Sequence, residues 1–480
     1  MSLTSDLYLG AAGLNADSLA LQITGNNLNN ANTVGYSRQT VNISSGLTVV
    51  TLNGPESSGV TASASQARDS FLDQQVQSEK SQTGAATAIQ SVYSQVETAL
   101  GQSINTSGQA SGVDSTSSST PGIAGALNDF FNSIQALTTN PSDSSTKSNV
   151  IESASELADQ INQADQQLAG VQASTTQQIG SDVQSANQLL SNIANLNAKI
   201  AKAEGASTPG SALDLRDQRE QDIEQLAGYM NIQVSPDPSG GGQIQVTTQD
   251  SSGNQVSLVS ASTVVNNIGY DGTGFQAMQS GSPTATLGLS GGSLNAEFQA
   301  STGFTQTVRS NLQSLANQLT TAINAAANPS GSGQNIFAAG TNGSLISVDP
   351  NLTTNTLQST ATGTSGGNEL AVAVANVANQ TFSTGNGDQI DGTLGGYYNG
   401  VVSDVGQAAN TANNNLQDQQ LAEQTVESNR DQVSGVSLDE ESTNLMQYQQ
   451  AFQASARFMT TIDTVLDTVI NQMGTASGVV

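Results

Sequence analysis

Residues 437–474 read SLDEESTNLMQYQQAFQASARFMTTIDTVLDTVINQMG. Leu438, Leu445, Phe452, Met459, Leu466 and Met473 fall at every seventh position, and Tyr448, Ile462 and Val469 fill much of the companion position. Apolar residues at that spacing form one narrow stripe of an α-helix, a seam for another helix. The start is marked twice. Ser437-x-x-Glu440 has the form of a capping box, and Asp439, Glu440 and Glu441 place negative charge at the positive helix end. Gly474 follows the last periodic residue and supplies a stop. If straight, such a helix is about 50 Å long.

The opposite end of the chain mirrors it. Leu7, Leu14, Leu21 and Leu28 also recur every seven residues, with Leu3 and Ala11 between them. Asn29-Asn30-Ala-Asn32 and then Gly35 end the pattern. Two seams at the two chain ends predict that the termini pair as a coiled coil. Gly10, Gly13 and Gly25 lie inside the first, each costing about 1 kcal/mol relative to Ala. The N-terminal helix is therefore marginal alone. Both termini are expected to be mobile in the free chain and to order when neighbouring copies supply the missing burial.

Inside these ends the helical period continues. It runs from Phe71 to Leu100, Ile123 to Leu137, Ala154 to Ile200, Leu215 to Met230, Phe304 to Ile323 and Tyr398 towards Val433. Between Ile232 and Leu289 the period becomes two, with Gly, Ser and Asp-Gly breaks, which predicts a small β domain. A second β-like stretch covers Asn335 to Pro350, and the Ser/Gly-rich segment from Gly101 to Thr120 reads as a flexible loop. The fold class is mainly α with a β insertion. Residues 1–45 and 434–480 form a terminal core; 46–235 and 291–433 form a long-helix bundle with a loop or β-like stretch near 330–368; 236–290 form a small outer β domain.

Composition excludes several functions. Eleven Lys and Arg against 39 Asp and Glu leave a net charge of −28, so no basic footprint exists for nucleic acid or for anionic membrane. The chain has no Cys, His or Trp. Thiol and imidazole catalysis, His or Cys metal sites and disulfides are thereby removed. No apolar run approaches the ~20 residues of a membrane span, and the first residues lack the basic and apolar regions of a cleaved signal peptide. Charged residues are only 10%, so the surface is dressed in uncharged polar groups, which pack against neighbours without desolvating charge. Carboxylate catalysis remains conceivable, but the β region offers only Asp237, Asp250 and Asp271, each in a turn context. The Gly385-Asn-Gly-Asp388-Gln-Ile-Asp391-Gly392 stretch lacks the spacing of a calcium loop and reads as a plain loop. No cofactor, metal site or enzymatic activity is expected.

Asn26-Asn-Leu-Asn-Asn-Ala-Asn-Thr-Val-Gly35-Tyr36 resembles the N-terminal signature shared by flagellar rod, hook and hook-associated proteins. Four further stretches resemble the hook–filament junction members of that family: Tyr36-Ser-Arg38-Gln39; Leu213-Asp-Leu-Arg-Asp217-Gln-Arg-Glu; Gly291-Gly-Ser-Leu294 before a long helix; and Val433-Ser-Gly-Val-Ser-Leu-Asp-Glu-Glu441, running on through Tyr448, Phe452 and Arg457. The outer region, 236–290, is short for the family, so a second outer β domain is expected to be missing.

The resemblance implies a structural subunit of the bacterial flagellum, outside the cell, exported by the flagellar type III route without signal cleavage. It implies a ring of copies, with hook protein below, the next hook-associated protein and flagellin above, and a cytoplasmic export chaperone on the C-terminal segment. Another axial protein, of the hook or distal rod, is the alternative. The heptad residues Leu7, Leu14, Leu21, Leu28, Leu438, Leu445, Phe452, Met459, Leu466 and Met473 are the expected assembly interface. Asn27, Asn30 and Asn32 either simply end a helix or hydrogen-bond across subunits. Gly35 reads as a helix stop, and Tyr36 and Arg38 as candidate interface anchors.

Overall fold

The computed structural model describes residues 3–46, 48–51, 54–57, 60–100, 122–206, 212–331, 333–361 and 366–474. The Ser/Gly-rich stretch after Leu100 and the Pro209-Gly210 break lie outside them. In order, the elements are α1 (Leu3–Asn30), β1 (Gln39–Ser45), β2 (Thr48–Thr51), β3 (Gly54–Ser57), β4 (Val60–Gln66), α2 (Ser70–Ala99), α3 (Ile123–Thr139), α4 (Ser144–Ala206) and α5 (Leu213–Tyr229). Then come β5 (Gln233–Pro236), β6 (Ile244–Gln249), β7 (Gln255–Ser260), β8 (Thr263–Val264), β9 (Asn267–Tyr270), β10 (Phe275–Gln279), β11 (Ser282–Thr286), α6 (Gly292–Gln299) and a π-helical turn, Ala300–Thr305. The chain ends with α7 (Gln306–Ala327), β12 (Phe337–Ala339), β13 (Ile346–Val348), α8 (Glu369–Val377), α9 (Leu394–Ser434) and α10 (Leu438–Gly474). It is mainly helical, with small antiparallel sheets. No helix among the described residues is long and apolar enough to cross a membrane.

Two compact units result. The first comprises Met1–Thr83, Val183–Gly292 and Gln420–Val480; the second comprises Gly84–Asp182 and Ser293–Gln419. This corrects the expected layout in two respects. The end of α4, with α5 and the β domain, groups with the terminal helices and not with the bundle. And where the assigned terminal core (1–45) meets the assigned long-helix bundle (46–235), the chain forms strands, β1 pairing with β4 and β2 with β3. Their sequences, QTVNISS and VTASASQ, carry few large apolar residues, so the period-two signal is faint.

The second unit is built on an aliphatic core. Phe130, Ile134, Leu157, Ile161, Leu168, Leu312, Leu315 and Leu319 are almost completely buried. Burying each such side chain contributes about 1.5–3 kcal/mol. In the first unit the β domain holds a four-stranded sheet, ordered β5-β6-β7-β8, and a three-stranded sheet, ordered β11-β10-β9. Asp237, Asp250 and Asp271 sit in its turns, and each carboxylate accepts the backbone N–H two residues on, from Ser239, Ser252 and Thr273.

Asparagine fastens strands to helices in both units. In the first, Asn187 of α4 donates to Ile268 O (2.8 Å) and accepts from Ile268 N (2.7 Å). Asn197, fully buried, donates to Ile244 O and Ala261 O and accepts from Arg219. In the second, Asn162 holds Leu345 and Ile346, and Asn324 holds Ile336 and Phe337, in the same way. A carboxamide offers donor and acceptor together, so it satisfies both backbone groups of a strand residue without a buried charge.

Candidate functional site: the junction of three sequence motifs

The stretches that follow α1, open α5 and open α10 meet in the first unit. At the end of α1 the chain turns through Thr33 and Gly35, with Thr33 N donating to Asn30 O at 2.9 Å. Gly35 has φ +77°, and a Cβ there would run into the Gln221 side chain, which itself donates to Val34 O at 2.7 Å. This position requires glycine for conformation and for space.

Asn27 is the knot. It is 1% exposed. Its Nδ2 donates to Gln39 O (2.8 Å) and to Glu441 Oε2 (3.1 Å). Its Oδ1 accepts from Gln39 N (2.9 Å) and from the Tyr36 hydroxyl (2.9 Å). The hydrogen-bonding capacity of the carboxamide is used in full within the chain. Glu441, also buried, accepts Arg38 Nε at 2.9 Å, and Arg38 reaches Glu440 at 3.1 Å. The Arg38 amide donates to Ser434 O at 2.7 Å. Burial pulls the Arg38 pKa down, but its hydrogen bonds to Glu441 and Glu440 outweigh this and hold the pKa above its ordinary value. Burial, and then the charges of Asp214, Asp217 and Glu441, raise the Tyr36 pKa, so the phenol stays a donor.

The α5 motif closes the other side. Asp217 accepts from Ser37 N (3.3 Å) and from Gln66 Nε2 (2.8 Å) and lies 3.7 Å from Arg68. Asp214 accepts from Gln39 Nε2 at 2.8 Å. Burial pushes the Asp217 carboxyl up to about 6, against the lowering by the Ser37 amide and by Arg68. Further out, Arg68 pairs with Asp73 (3.1 Å), Lys80 with Glu423 and Glu427, and Arg430 with Glu224. Arg38, Arg68, Lys80 and Arg430 are four of the chain's eleven basic residues, and each lies against a carboxylate distant in sequence, Arg68 against Asp217. A cleft of about 720 Å³ opens beside the knot, lined among others by Asn32, Val34, Gln221, Glu224, Asp431 and Val433.

These contacts correct the reading of the axial motif. Asn27 is saturated internally, so it has nothing to offer another subunit. Asn30 donates to Asn26 O and accepts from Thr33, which is helix-end chemistry. Asn32 is exposed on the turn. Tyr36 and Arg38 brace the chain from inside. Ser437 directly precedes α10, and its carbonyl accepts from Glu441 N. Glu440 is engaged with Arg38, a contact the capping-box reading does not contain. Sequence reasoning missed Asp214, Asp217, Gln39 and Gln66 as working residues. The one available signal was that the α5 stretch belonged to the resemblance.

From the knot the terminal helices run side by side and antiparallel. Asn27 meets Glu441, Asp17 Oδ2 accepts from Ser455 Oγ (2.8 Å), and Gly10 lies against Met459. On α1 the buried stripe is Gly10, Ala16, Ala20, Ile23, Thr24 and Asn27. This corrects the expected seam. Leu14, Leu21 and Leu28 are only half-buried, and Leu7 is 37% exposed. At about 100° of rotation per residue the leucine series stands roughly a quarter-turn or more from the buried stripe. The α10 series does face α1: Leu445, Phe452, Met459 and Leu466 are half-buried and Ile462 is buried, whereas Leu438 is exposed. The Met473 side chain lies outside the described residues. Tyr8, Met446, Phe458, Val465, Val469 and Ile470 are left exposed as well.

Among the described residues no group of three or more acidic, His or Cys side chains is placed to hold a metal ion. The arrangement joins and braces; its chemistry is hydrogen bonding and ion pairing.

Comparison with known proteins agrees. Residues 7–36 match the flagella basal body rod protein family, residues 110–337 the flagellar hook-associated protein FlgK helical domain, and residues 428–473 the flagellar basal body rod FlgEFG protein C-terminal family. Both end matches coincide with the antiparallel helix pair and the knot, so at its two ends the chain is similar to flagellar rod proteins. The flagellar hook-associated protein 1 of Bacillus subtilis is 28% identical over 96% of this chain and 96% of its own. That of Salmonella typhimurium is 30% identical over 48% of this chain and 39% of its own. A solved structure, the flagellar hook junction protein FlgK from Burkholderia pseudomallei, has a TM-score of 0.45 at 22% identity, over 55% of this chain and 46% of that one. Within the axial class, then, this chain is a homologue of flagellar hook-associated protein 1.

Proposed function

We propose that this chain is the structural subunit of the hook–filament junction, exported and assembled through its terminal helices, and that it has no enzymatic activity. The observation that carries the assembly reading is the way the helix pair spends its residues. Half of the pairing stripe of α1 is Gly or Ala and only Ile23 is a large apolar residue, so the stripe buries little apolar area. Larger residues stay at least partly open: the leucine series on α1 is half-buried or exposed, and Val465, Val469 and Ile470 on α10 are exposed. Each copy thus offers one apolar stripe on each terminal helix, beyond the contact between the two. Two dissimilar stripes suit head-to-tail contact with two neighbours, which builds rings or helical arrays and not closed pairs.

On this reading the copies form a ring, with hook protein below and the next hook-associated protein and flagellin above. The exposed C-terminal stripe is what an export chaperone would cover in the cytoplasm before export by the type III route. The small seam also makes the terminal pair weak in a free subunit, so its ordering is completed on assembly.

Deletion of the gene tests the role: hooks without filaments, with flagellin lost to the medium, are expected. Normal filaments would reject the junction role, and absent hooks would point to a rod or hook protein. The double substitution Leu14→Asp/Leu21→Asp tests the stripe. The secreted protein should accumulate in the medium without joining the flagellum; normal incorporation would refute the assembly role of that face.

A further inference from the structure

In the second unit, Asp182 on α4 and Glu297 on α6 confront one another in the interior. Asp182 is 8% exposed and Glu297 7%. Their surroundings are neutral. Gln178 Nε2 donates to Asp182 Oδ1 (2.7 Å) and Ser293 Oγ to Asp182 Oδ2 (3.3 Å). Asp182 is the titratable group that faces Glu297. Glu297 Oε2 is buried without a hydrogen-bond partner. The ion pair found among the described residues of this unit, Arg309–Asp165, involves neither carboxyl. Two adjacent carboxylates with no cation cannot both ionise in such a place; one must keep a proton, which it can donate to the other. Burial, and then the Asp182 charge, raise the Glu297 carboxyl to about 8, and burial raises Asp182 as well.

Backbone geometry sets α6 off from the chain on both sides. It spans eight residues, begins at Gly292 with φ +78°, and runs directly into the π-helical turn Ala300–Thr305. There the Thr305 hydroxyl donates to Ala300 O at 2.9 Å. Wide turns of this kind interrupt the regular ladder of a helix. The acid pair thus clasps a short segment that has a conformational break at each end.

We propose that Asp182 and Glu297 form a proton-operated latch that holds α6 on α4. With one proton between them, the Glu297 O–H donates to the Asp182 carboxylate and the segment is held. When solvent base removes that proton, two buried carboxylates repel and α6 is released. The device answers to alkaline conditions, since the neutral acid is the closed state.

Hydrogen exchange of the full-length chain, from pH 6 to 9 with intrinsic rates corrected, tests this. Amides of residues 292–299 should lose protection at least tenfold through a midpoint near pH 8, and Glu297→Gln should remove that pH dependence. Asp182→Asn should move the midpoint to lower pH, because the opposing charge is gone. A flat wild-type profile, or an unchanged pH dependence in Glu297→Gln, would overturn the latch. Infrared spectroscopy of the unmutated chain decides independently of whether the variants fold. A protonated-carboxyl C=O band present at pH 7 and lost near pH 8 is expected; its absence at pH 7 refutes the proposal.

Discussion

Replacing Asn27 by Ala strips four hydrogen bonds from the knot and gives nothing back. The costs are unequal. The Gln39 N–H and C=O belong to a buried residue and lose the partner that Asn27 provides there. The Tyr36 hydroxyl is only partly buried and can turn towards water, and Glu441 keeps Arg38. Counting the two Gln39 groups at about 1–3 kcal/mol each gives about 2–6 kcal/mol of lost local stability. Because the chain folds as two units, a single unfolding midpoint is a poor measure, and local opening is the better one. Protection of amides in residues 36–45 and 438–445 should fall by on the order of 10²–10³-fold. Asn30→Ala is the control: its contacts are to Asn26 O and to Thr33 at 3.3 Å on an exposed turn, and it should cost less than about 1 kcal/mol. Asn27→Asp should match or exceed the alanine loss, since it sets a second carboxylate against Glu441 Oε2. Equal protection in Asn27→Ala and Asn30→Ala would refute the assignment of Asn27 as the residue that ties the three segments.

A second prediction concerns the helix seam. A Cβ at Gly10 would collide with the Met459 sulfur, so Gly10→Ala should show none of its ~1 kcal/mol helix-propensity gain until Met459→Ala is added. In a double-mutant cycle read from hydrogen exchange of the α1 and α10 amides the pair should couple favourably by about 1 kcal/mol, and additive effects would remove Met459 from the seam. The third concerns pH. The folded Asp217 carboxyl lies near 6, above its ordinary 3.8, so the folded state holds the proton more tightly than the unfolded chain does. Stability should therefore fall as pH rises from about 4 to 6, by about 3 kcal/mol, and level off above. An NMR titration of the Asp217 carboxyl with a midpoint near 4 would contradict this.

The resemblance pointed to the three motifs but did not give the partners of their residues. Asn27, Tyr36 and Arg38 looked like surface groups because polar residues after a helix end normally face water or a neighbour. The internal partner that Asn27 and Arg38 share, Glu441, is 414 positions from Asn27, and no local pattern reveals it. Glu440 and Glu441 likewise read as helix-start charge, which is a local role, while their main engagement is with Arg38. The leucine series of α1 was legible as a stripe, but not as the stripe left over once Gly10, Ala16 and Ala20 had taken the seam. Gly10 and Gly13 counted as weaknesses of the helix; at Gly10 the missing side chain is what lets Met459 approach.

By itself, then, the sequence determined the helices, the β insertion between α5 and α6, the absence of thiol and imidazole chemistry, and the axial class. These follow from short-range periodicity, caps and residue inventory, all of which act within a few turns of chain. Tertiary structure alone decided which helix face is spent internally, which of several clustered asparagines is the knot, that residues 39–66 pair as strands, and that Asp182 and Glu297 share one buried place. Each of those depends on what a distant segment brings within about 3 Å, the range over which hydrogen bonds form and like charges exclude one another.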